Sequence, residues 1–395
     1  MKYILLLCFI LINGLLVAQY KISGKILDKK TKQPVEGVSV FLSKTTIGTV
    51  TNNKGEFQLE GIKPGKYELI AKSLNYEEFV QFIQTAEENQ LLVITLNPTT
   101  NMLKDVIVQQ YDENGWEKWG AIFTSYFIGS PDLSKKCIFK NPEAVKFRYN
   151  SKTNKLIAFS NENLIFNNLT LGYKITYILE KFEIDFTENT FSFNGYPLFQ
   201  ELKPKNEKQA SQWYLMRSNT YKGSLHHFIN SLYKDNLVRD SFEIRAIQII
   251  DDEEKTRVKK ILKNLHGEVI TTDSNNYYQK VRGLGPNEYK VVLDKLIPCN
   301  SIVQFSLNDS NSKTLYFTNY LEITFLKKRI PKEYAKILPV YRSNEFIKNE
   351  ISLRSNTPIK LYPNSNYYDG YNLLIEGFWA WSEKLATMLP SNYNL

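Results

Sequence analysis

The chain has 395 residues, with 50 Lys and Arg against 41 Asp and Glu, a formal net charge of +9, and 43% hydrophobic residues. A chain of this length favours about two to three domains. Its basic residues are spread out, with Lys327-Lys328-Arg329 and Lys259-Lys260 the densest runs; these read as solvated faces, so nucleic acid is excluded as a partner while anionic lipid or polysaccharide stays open.

Met1-Lys2-Tyr3 followed by an apolar run from Ile4 to Val17 has the charged start and apolar middle of a signal peptide, with cleavage expected beside Ala18. The run is too short for a stable membrane helix. Cys8 follows Leu5-Leu6-Leu7, but too few apolar residues precede it for a lipid-attachment box, so lipidation is not expected. Beyond residue 20 no run reaches the ~18 apolar residues of a spanning helix. The mature chain is therefore expected to have no transmembrane span and to work outside the cytoplasm, in the periplasm or at the outer membrane or cell surface. Cys137 and Cys299 remain after processing; one bridge between them is chemically allowed in an oxidising compartment, and the sequence does not decide it.

From Tyr20 the chain alternates apolar and polar residues in short runs: Ile22/Gly24/Ile26, Val38/Val40/Leu42, Phe57/Leu59, Tyr67/Leu69/Ala71 and Leu92/Ile94/Leu96. Such alternation marks half-buried antiparallel strands. Asn52-Asn53-Lys54-Gly55 tolerates the positive φ of a hairpin, and Lys63-Pro64-Gly65 predicts a type II turn. Short strands at this spacing predict a β-sandwich over residues 20–97. Ile22-Ser23-Gly24-Lys25-Ile26-Leu27-Asp28, Pro34-Val35-Glu36-Gly37-Val38, Gly48-Thr49-Val50-Thr51-Asn52 and Gly55-Glu56-Phe57 together resemble the carboxypeptidase-regulatory-like domain. The resemblance implies a seven-stranded, transthyretin-like sandwich with a non-catalytic, accessory role. A zinc carboxypeptidase would need a His-x-x-Glu and a later His. His226, His227 and His266 are instead followed at the third position by Ile229, Asn230 and Val269, so neither a metal site nor peptidase activity is expected, and no cofactor is called for.

Residues 98–113 read as a linker, in which Leu103-Lys104-Asp105-Val106-Ile107-Val108 predicts one docking strand. In large outer-membrane receptors a similar segment leads into a plug and barrel, but the remaining residues are too few for a 22-stranded barrel at ~10 residues per strand.

Residues 114–395 are expected to be α+β and rich in antiparallel strands, with a division near 250–275 left open. Asn114 and Glu117 resemble a capping box, and Trp116, Trp119, Phe123 and Phe127 recur at helical spacing, predicting a helix to about Gly129. Strands follow at Val145/Phe147/Tyr149, Ile175/Tyr177/Leu179, Phe182/Ile184/Phe186 and Phe191/Phe193. The change of parity between Leu179 and Phe182 predicts a bulge or turn at Glu180-Lys181. Trp213, Arg217 and Tyr221 then share one helix face, where an Arg between two aromatics can stack on them. Past Gly223, Ser224 is a candidate N-cap for a helix with Leu225, Phe228, Ile229 and Leu232 as its buried stripe. Adjacent His226 and His227 diverge by about 100° on a helix and make a poor joint metal site.

The acidic run Asp251-Asp252-Glu253-Glu254 precedes Val258, Ile261, Leu262 and Leu265 at helical spacing, with Lys255, Lys259, Lys260 and Lys263 beyond it. It reads as a helix start complementing the dipole rather than a calcium loop. Later strands are expected at Leu315/Phe317, Leu321/Ile323/Phe325, Ile351/Leu353 and Ile359/Leu361, and a short helix within Gly377–Ala386, stopped by Pro390. Three aromatics in four residues, Phe378, Trp379 and Trp381, either cradle a sugar or seal a β core.

The segments 114–119, Tyr196-Pro197-Leu198-Phe199, Tyr221–Phe228 and Trp379–Pro390 resemble exported proteins of Gram-negative bacteria that join one such sandwich to an uncharacterised C-terminal region; relatives often carry Arg where Asn230 stands. The functional expectation is a non-enzymatic cell-envelope binding or accessory protein for a protein or glycan partner, with Trp213, Arg217, Tyr221 and His227 as the candidate binding residues. Buried, the same four would instead clamp the two helices together. The other reading is an envelope hydrolase with an unrecognised carboxylate or histidine site, which a tight pairing of His227 with a carboxylate in an open cleft would favour.

Overall fold

The computed structural model describes residues 20–85, 90–99, 111–264, 272–283, 288–306 and 309–393. The expected leader (1–19) and the expected strand Leu103–Val108 lie outside them.

The sandwich forms from β1 (Tyr20–Asp28), β2 (Ser39–Leu42), β3 (Gly48–Val50), β4 (Glu56–Ile62), β5 (Gly65–Lys72), β6 (Phe79–Thr85) and β7 (Gln90–Leu96). One sheet has the order β4-β1-β7 and the other β3-β2-β5-β6. Strict alternation along β1 sends Ile22 and Ile26 inward, to meet Val40, Leu42, Tyr67 and Leu69 from the facing sheet. This burial of alternate residues between two facing sheets is what a sandwich core requires.

The second core begins with α1 (Gly115–Phe123), which runs on into a π-helical turn at Thr124–Ile128. Asn114 is left-handed (φ 55°) and its side chain caps nothing, so the expected capping box does not form; the backbone is already turning at that position. A single turn, α2 (Pro131–Ser134), precedes β8 (Cys137–Phe139), β9 (Lys146–Asn150), β10 (Lys155–Phe159), β11 (Leu164–Asn168), β12 (Tyr173–Asp185) and β13 (Thr190–Glu201). These make a six-stranded sheet, order β8-β11-β12-β10-β9, with β13 on β12. The parity change resolves as a bulge between Leu179 and Lys181 inside one long strand. Phe123 and Phe127 pack on Phe166, Tyr177 and Phe182 across this sheet.

The third core is built on α3 (Glu207–Tyr221), α4 (Leu225–Lys234), β14 (Phe242–Asp251), α5 (Glu253–Asn264), α6 (Thr272–Gly283), β15 (Glu288–Leu296), β16 (Val303–Ser306), β17 (Asp309–Leu315), β18 (Tyr320–Arg329), α7 (Lys332–Ala335), β19 (Phe346–Leu353), β20 (Ile359–Leu361), β21 (Tyr367–Tyr368), β22 (Leu373–Gly377) and α8 (Phe378–Ser382). Two sheets, β15-β14-β18-β19-β22 and β16-β17-β20-β21, hold it. The expected stripe Leu225, Phe228, Ile229 and Leu232 is buried, and Trp379 lies at its centre, fully enclosed. The expected C-terminal helix is shorter than its pattern: it ends at Ser382, and a 3₁₀ turn at Leu385–Thr387 follows, placing Leu385 and Ala386 in the second core.

The sandwich is clasped by both other cores. Phe41 and Ile70, on its outer face, meet Ile178, Tyr196 and Leu198, and Thr45 pairs with Leu198 as an isolated parallel bridge. Four residues before Ile70 on the same strand, the Lys66 carbonyl accepts from Asn364 Nδ2 (2.8 Å), Asn366 Nδ2 (3.0 Å) and Tyr368 Oη (3.1 Å). Ser391 N–H donates to the Lys44 carbonyl, and Asn392 Nδ2 donates to Thr46 Oγ1 at 2.7 Å. Cys137 and Cys299 are both free thiols, in the second and third cores. Among the described residues no helix is long and apolar enough to cross a membrane.

Candidate functional site

The two helices α3 and α4 join at a turn whose Gly223 has no room for a side chain. Asn206 caps α3 by accepting the Gln209 N–H at 3.0 Å, and Ser224 caps α4 by accepting the His227 N–H at 3.1 Å. Between them Gly223 is left-handed (φ 75°), and a Cβ there would lie 2.6 Å from Phe325. Its carbonyl accepts Trp379 Nε1 at 2.8 Å, while Glu383 Oε1 accepts the Leu225 N–H at 2.9 Å. The segments around 221–228 and 379–390, far apart in sequence, thus meet at one joint.

Trp213, Arg217 and Tyr221 sit on one face of α3, as their spacing predicts. Trp213 lies flat against Gly172 and donates Nε1 to the Leu169 carbonyl at 2.9 Å. Arg217 donates Nε to the Leu171 carbonyl (2.7 Å) and one terminal nitrogen to Gly172 (3.3 Å), and pairs with Glu201 at 3.1 Å. The ring under its guanidinium is Tyr173, 4.0 Å away. Stacking on Trp213 and Tyr221 was the expectation; the side chain instead reaches off its own helix towards the 169–173 loop, whose carbonyls need donors.

Tyr221 is buried, accepts from Asn230 Nδ2 at 2.7 Å and packs on both histidine rings. His227 Nδ1 accepts the Gly223 N–H at 3.2 Å, which leaves the proton on Nε2, 3.8 Å from Asp240. Ser231 Oγ lies 2.6 Å from Asp240 Oδ2 and 2.9 Å from the His227 carbonyl, and is fully buried. Serine, histidine and aspartate are neighbours here, but the hydroxyl bonds the carboxylate and a carbonyl rather than the imidazole, so no nucleophile is activated. Burial holds both His226 and His227 down to about 4.

The adjacent face of α3 borders a cavity of about 360 Å³, walled by Met216, Asn219 and Thr220, by Phe378 and Trp381 of α8, and by Lys328, Glu333 and Glu383. Lys328 Nζ donates to the carbonyls of Asn219 (3.1 Å) and Lys222 (3.4 Å), completing the C-terminal end of α3. Burial lowers the Lys328 pKa, with Glu383 opposing; burial raises the Glu383 carboxyl, with the Leu225 N–H and the two neighbouring lysines opposing. Lys384, next in the chain, is buried over the Phe191 ring at 3.7 Å and lowered to about 8. A larger depression of about 500 Å³ is lined only by residues between Arg148 and Ile157; one hairpin supplies every wall, so nothing faces a ligand from the other side.

Residues 22–108 match the CarboxypepD_reg-like domain. The sequence resemblance therefore stands over this domain, and the fold class does too: mainly β with some α, a transthyretin-like sandwich followed by an α+β region rich in antiparallel strands. No curated protein matches the chain. Among solved structures, a 5-hydroxyisourate hydrolase from Klebsiella pneumoniae is 26% identical over 20% of this chain and 90% of its own, with a TM-score of 0.18. A cohesin–X-dockerin complex from Acetivibrio cellulolyticus is 19% identical, TM-score 0.18; the chain spans 56% of that structure's length and 20% of its own. A DUF3823 family protein from Bacteroides ovatus is 13% identical over 47% of this chain and 82% of that one, TM-score 0.17. The CarboxypepD_reg-like domain contributes no wall to the 360 Å³ cavity.

Sequence reasoning missed Lys328 and Glu383 as a pair because their meeting depends on β18 and α8 packing against the α3–α4 turn. The aromatic run at 378–381 carried the usable signal. The fold sends Trp379 and Phe378 into the core, with Phe378 and the half-buried Trp381 also bordering the cavity.

Proposed function

We propose that the chain is a non-enzymatic binding protein of the cell envelope, exported by its N-terminal leader, which holds a glycan fragment in the cavity between α3 and α8. One observation carries the reading: two aromatic side chains, Phe378 and Trp381, share a cavity of about 360 Å³ with Glu383, Glu333 and Lys328. Sugars present apolar C–H faces and polar rims, and a few convergent polar groups beside aromatic walls suit that shape. In this reading Trp213, Arg217, Tyr221 and His227 clamp the helix pair and fix the cavity's geometry from behind.

Calorimetric titration with soluble peptidoglycan fragments and envelope oligosaccharides tests it. Binding is expected, with Glu383→Gln, whose Oε1 can still accept the Leu225 N–H, weakening it about tenfold per folded molecule, the loss of one charged hydrogen bond. Absence of binding to any saccharide, or binding indifferent to Glu383→Gln and Trp381→Phe, overturns the assignment. Fractionation of cells carrying a C-terminally tagged chain should place it outside the cytoplasm.

A further inference from the structure

Four charged side chains line the 360 Å³ cavity between α3 and α8, and their signs do not cancel: Asp132, Glu333 and Glu383 stand against Lys328 alone. The single ammonium is already committed. It donates to the Asn219 and Lys222 carbonyls at the negative end of α3 and lies 5.7 Å over the Phe378 ring. Glu383 gives one oxygen to the Leu225 N–H. Asp132 on α2 and Glu333 on α7 belong to different cores and are both exposed, so they stand at the cavity mouth, and among the described residues neither forms an ion pair. With Phe378 already facing an ammonium, Trp381 is the aromatic wall left for a ligand.

We infer that the cavity selects a saccharide carrying a free, protonated amine: an unacetylated amino sugar, its ring on Trp381 and its ammonium between the carboxylates of Asp132 and Glu333. The inference rests on the glycan reading of the same cavity and adds the ligand's charge to it. Carboxylates only accept hydrogen bonds, and an ammonium brings three donors with the compensating charge. An acetylated amine offers them a neutral amide with one donor, and an acidic sugar meets like charge. Indole is the strongest of the aromatic partners for a cation, so the wall that remains suits the same group. A lysine side chain would bring the charge on a narrow stem, whereas a cavity with aromatic walls and polar groups at its rim fits a ring.

Calorimetric titration of the full chain at pH 6, where amines carry their proton, compares the β-1,4-linked glucosamine disaccharide with its di-N-acetylated counterpart. The free amine form should bind about fivefold tighter, the combined effect of two solvent-exposed ion pairs, and the preference should shrink as salt is raised. Asp132→Asn combined with Glu333→Gln, at two exposed positions, should melt as the parent does and bind both disaccharides alike. Equal or tighter binding of the acetylated form, or a preference that survives the double substitution, overturns the charge selection and leaves the glycan reading standing. Failure of both disaccharides overturns the amino-sugar assignment; another saccharide bound in their place keeps the glycan reading, and a lysine-rich peptide bound in place of every saccharide removes both.

Discussion

Replacing Arg217 by alanine separates a clamp from a ligand contact. The guanidinium is the donor to the buried Leu171 carbonyl, whereas the Gly172 carbonyl keeps the Leu202 N–H at 2.9 Å. One carbonyl therefore loses its donor, at about 1 to 3 kcal/mol. Loss of the stack on Tyr173 adds about 0.5 to 2 kcal/mol. The pair with Glu201 is discounted to about 0 to 1 kcal/mol, because that carboxylate is 63% exposed. The sum is about 1.5 to 6 kcal/mol, or roughly 2 to 8 °C in melting temperature if the chain unfolds as one unit. Differential scanning calorimetry reads the shift, with saccharide affinity per folded molecule measured alongside. Melting within 1 °C of the parent together with lost binding would refute the clamp and return Arg217 to the ligand site.

Stability should fall as pH drops from about 6.5 towards 4: His226 and His227 stay neutral in the fold down to about 4, while the unfolded chain takes up their protons near 6.5. Glu383, raised in the fold, opposes this at the acid end, and His226→Phe should flatten the melting profile over that window. Gly223→Ala forces a side chain into left-handed backbone 2.6 Å from Phe325 and should cost about 2 to 4 kcal/mol in denaturant unfolding. Burial pushes the Cys137 and Cys299 thiols up to about 12, so a thiol reagent at pH 8 should label both only after denaturation. Asn364→Ala removes one of three donors to the Lys66 carbonyl, and limited proteolysis should then release the sandwich faster.

Periodicity exposed what depends on local burial. Ile22/Ile26, Phe57/Leu59 and Leu321/Ile323/Phe325 sit on strands of alternating or continuous burial, and Ser224 heads α4, because each pattern answers to one neighbouring surface. The bulge at Glu180 was legible from a parity change alone. β15 was not, because a strand exposed on both faces has no burial pattern to print. The joint was legible only in pieces: Gly223 and Trp379 stood out separately, while their hydrogen bond spans 156 residues, and no local pattern encodes a contact at that distance. Tyr173 under Arg217 was hidden for the same reason.

The clasp on the sandwich has a kinetic side. By Leu96 all seven of its strands exist, so it can close early on its own contacts. Asn364, which grips Lys66, emerges about 270 residues later, on the order of 15 to 50 s of synthesis. Phe41 and Ile70, nearly inaccessible in the finished protein, face solvent until Ile178, Tyr196 and Leu198 emerge, about 100 residues after Leu96. Contacts of such long sequence separation form slowly. The half-emerged chain is thus a folded bead with a sticky side, and a holding chaperone should decide its yield more than the final stability does.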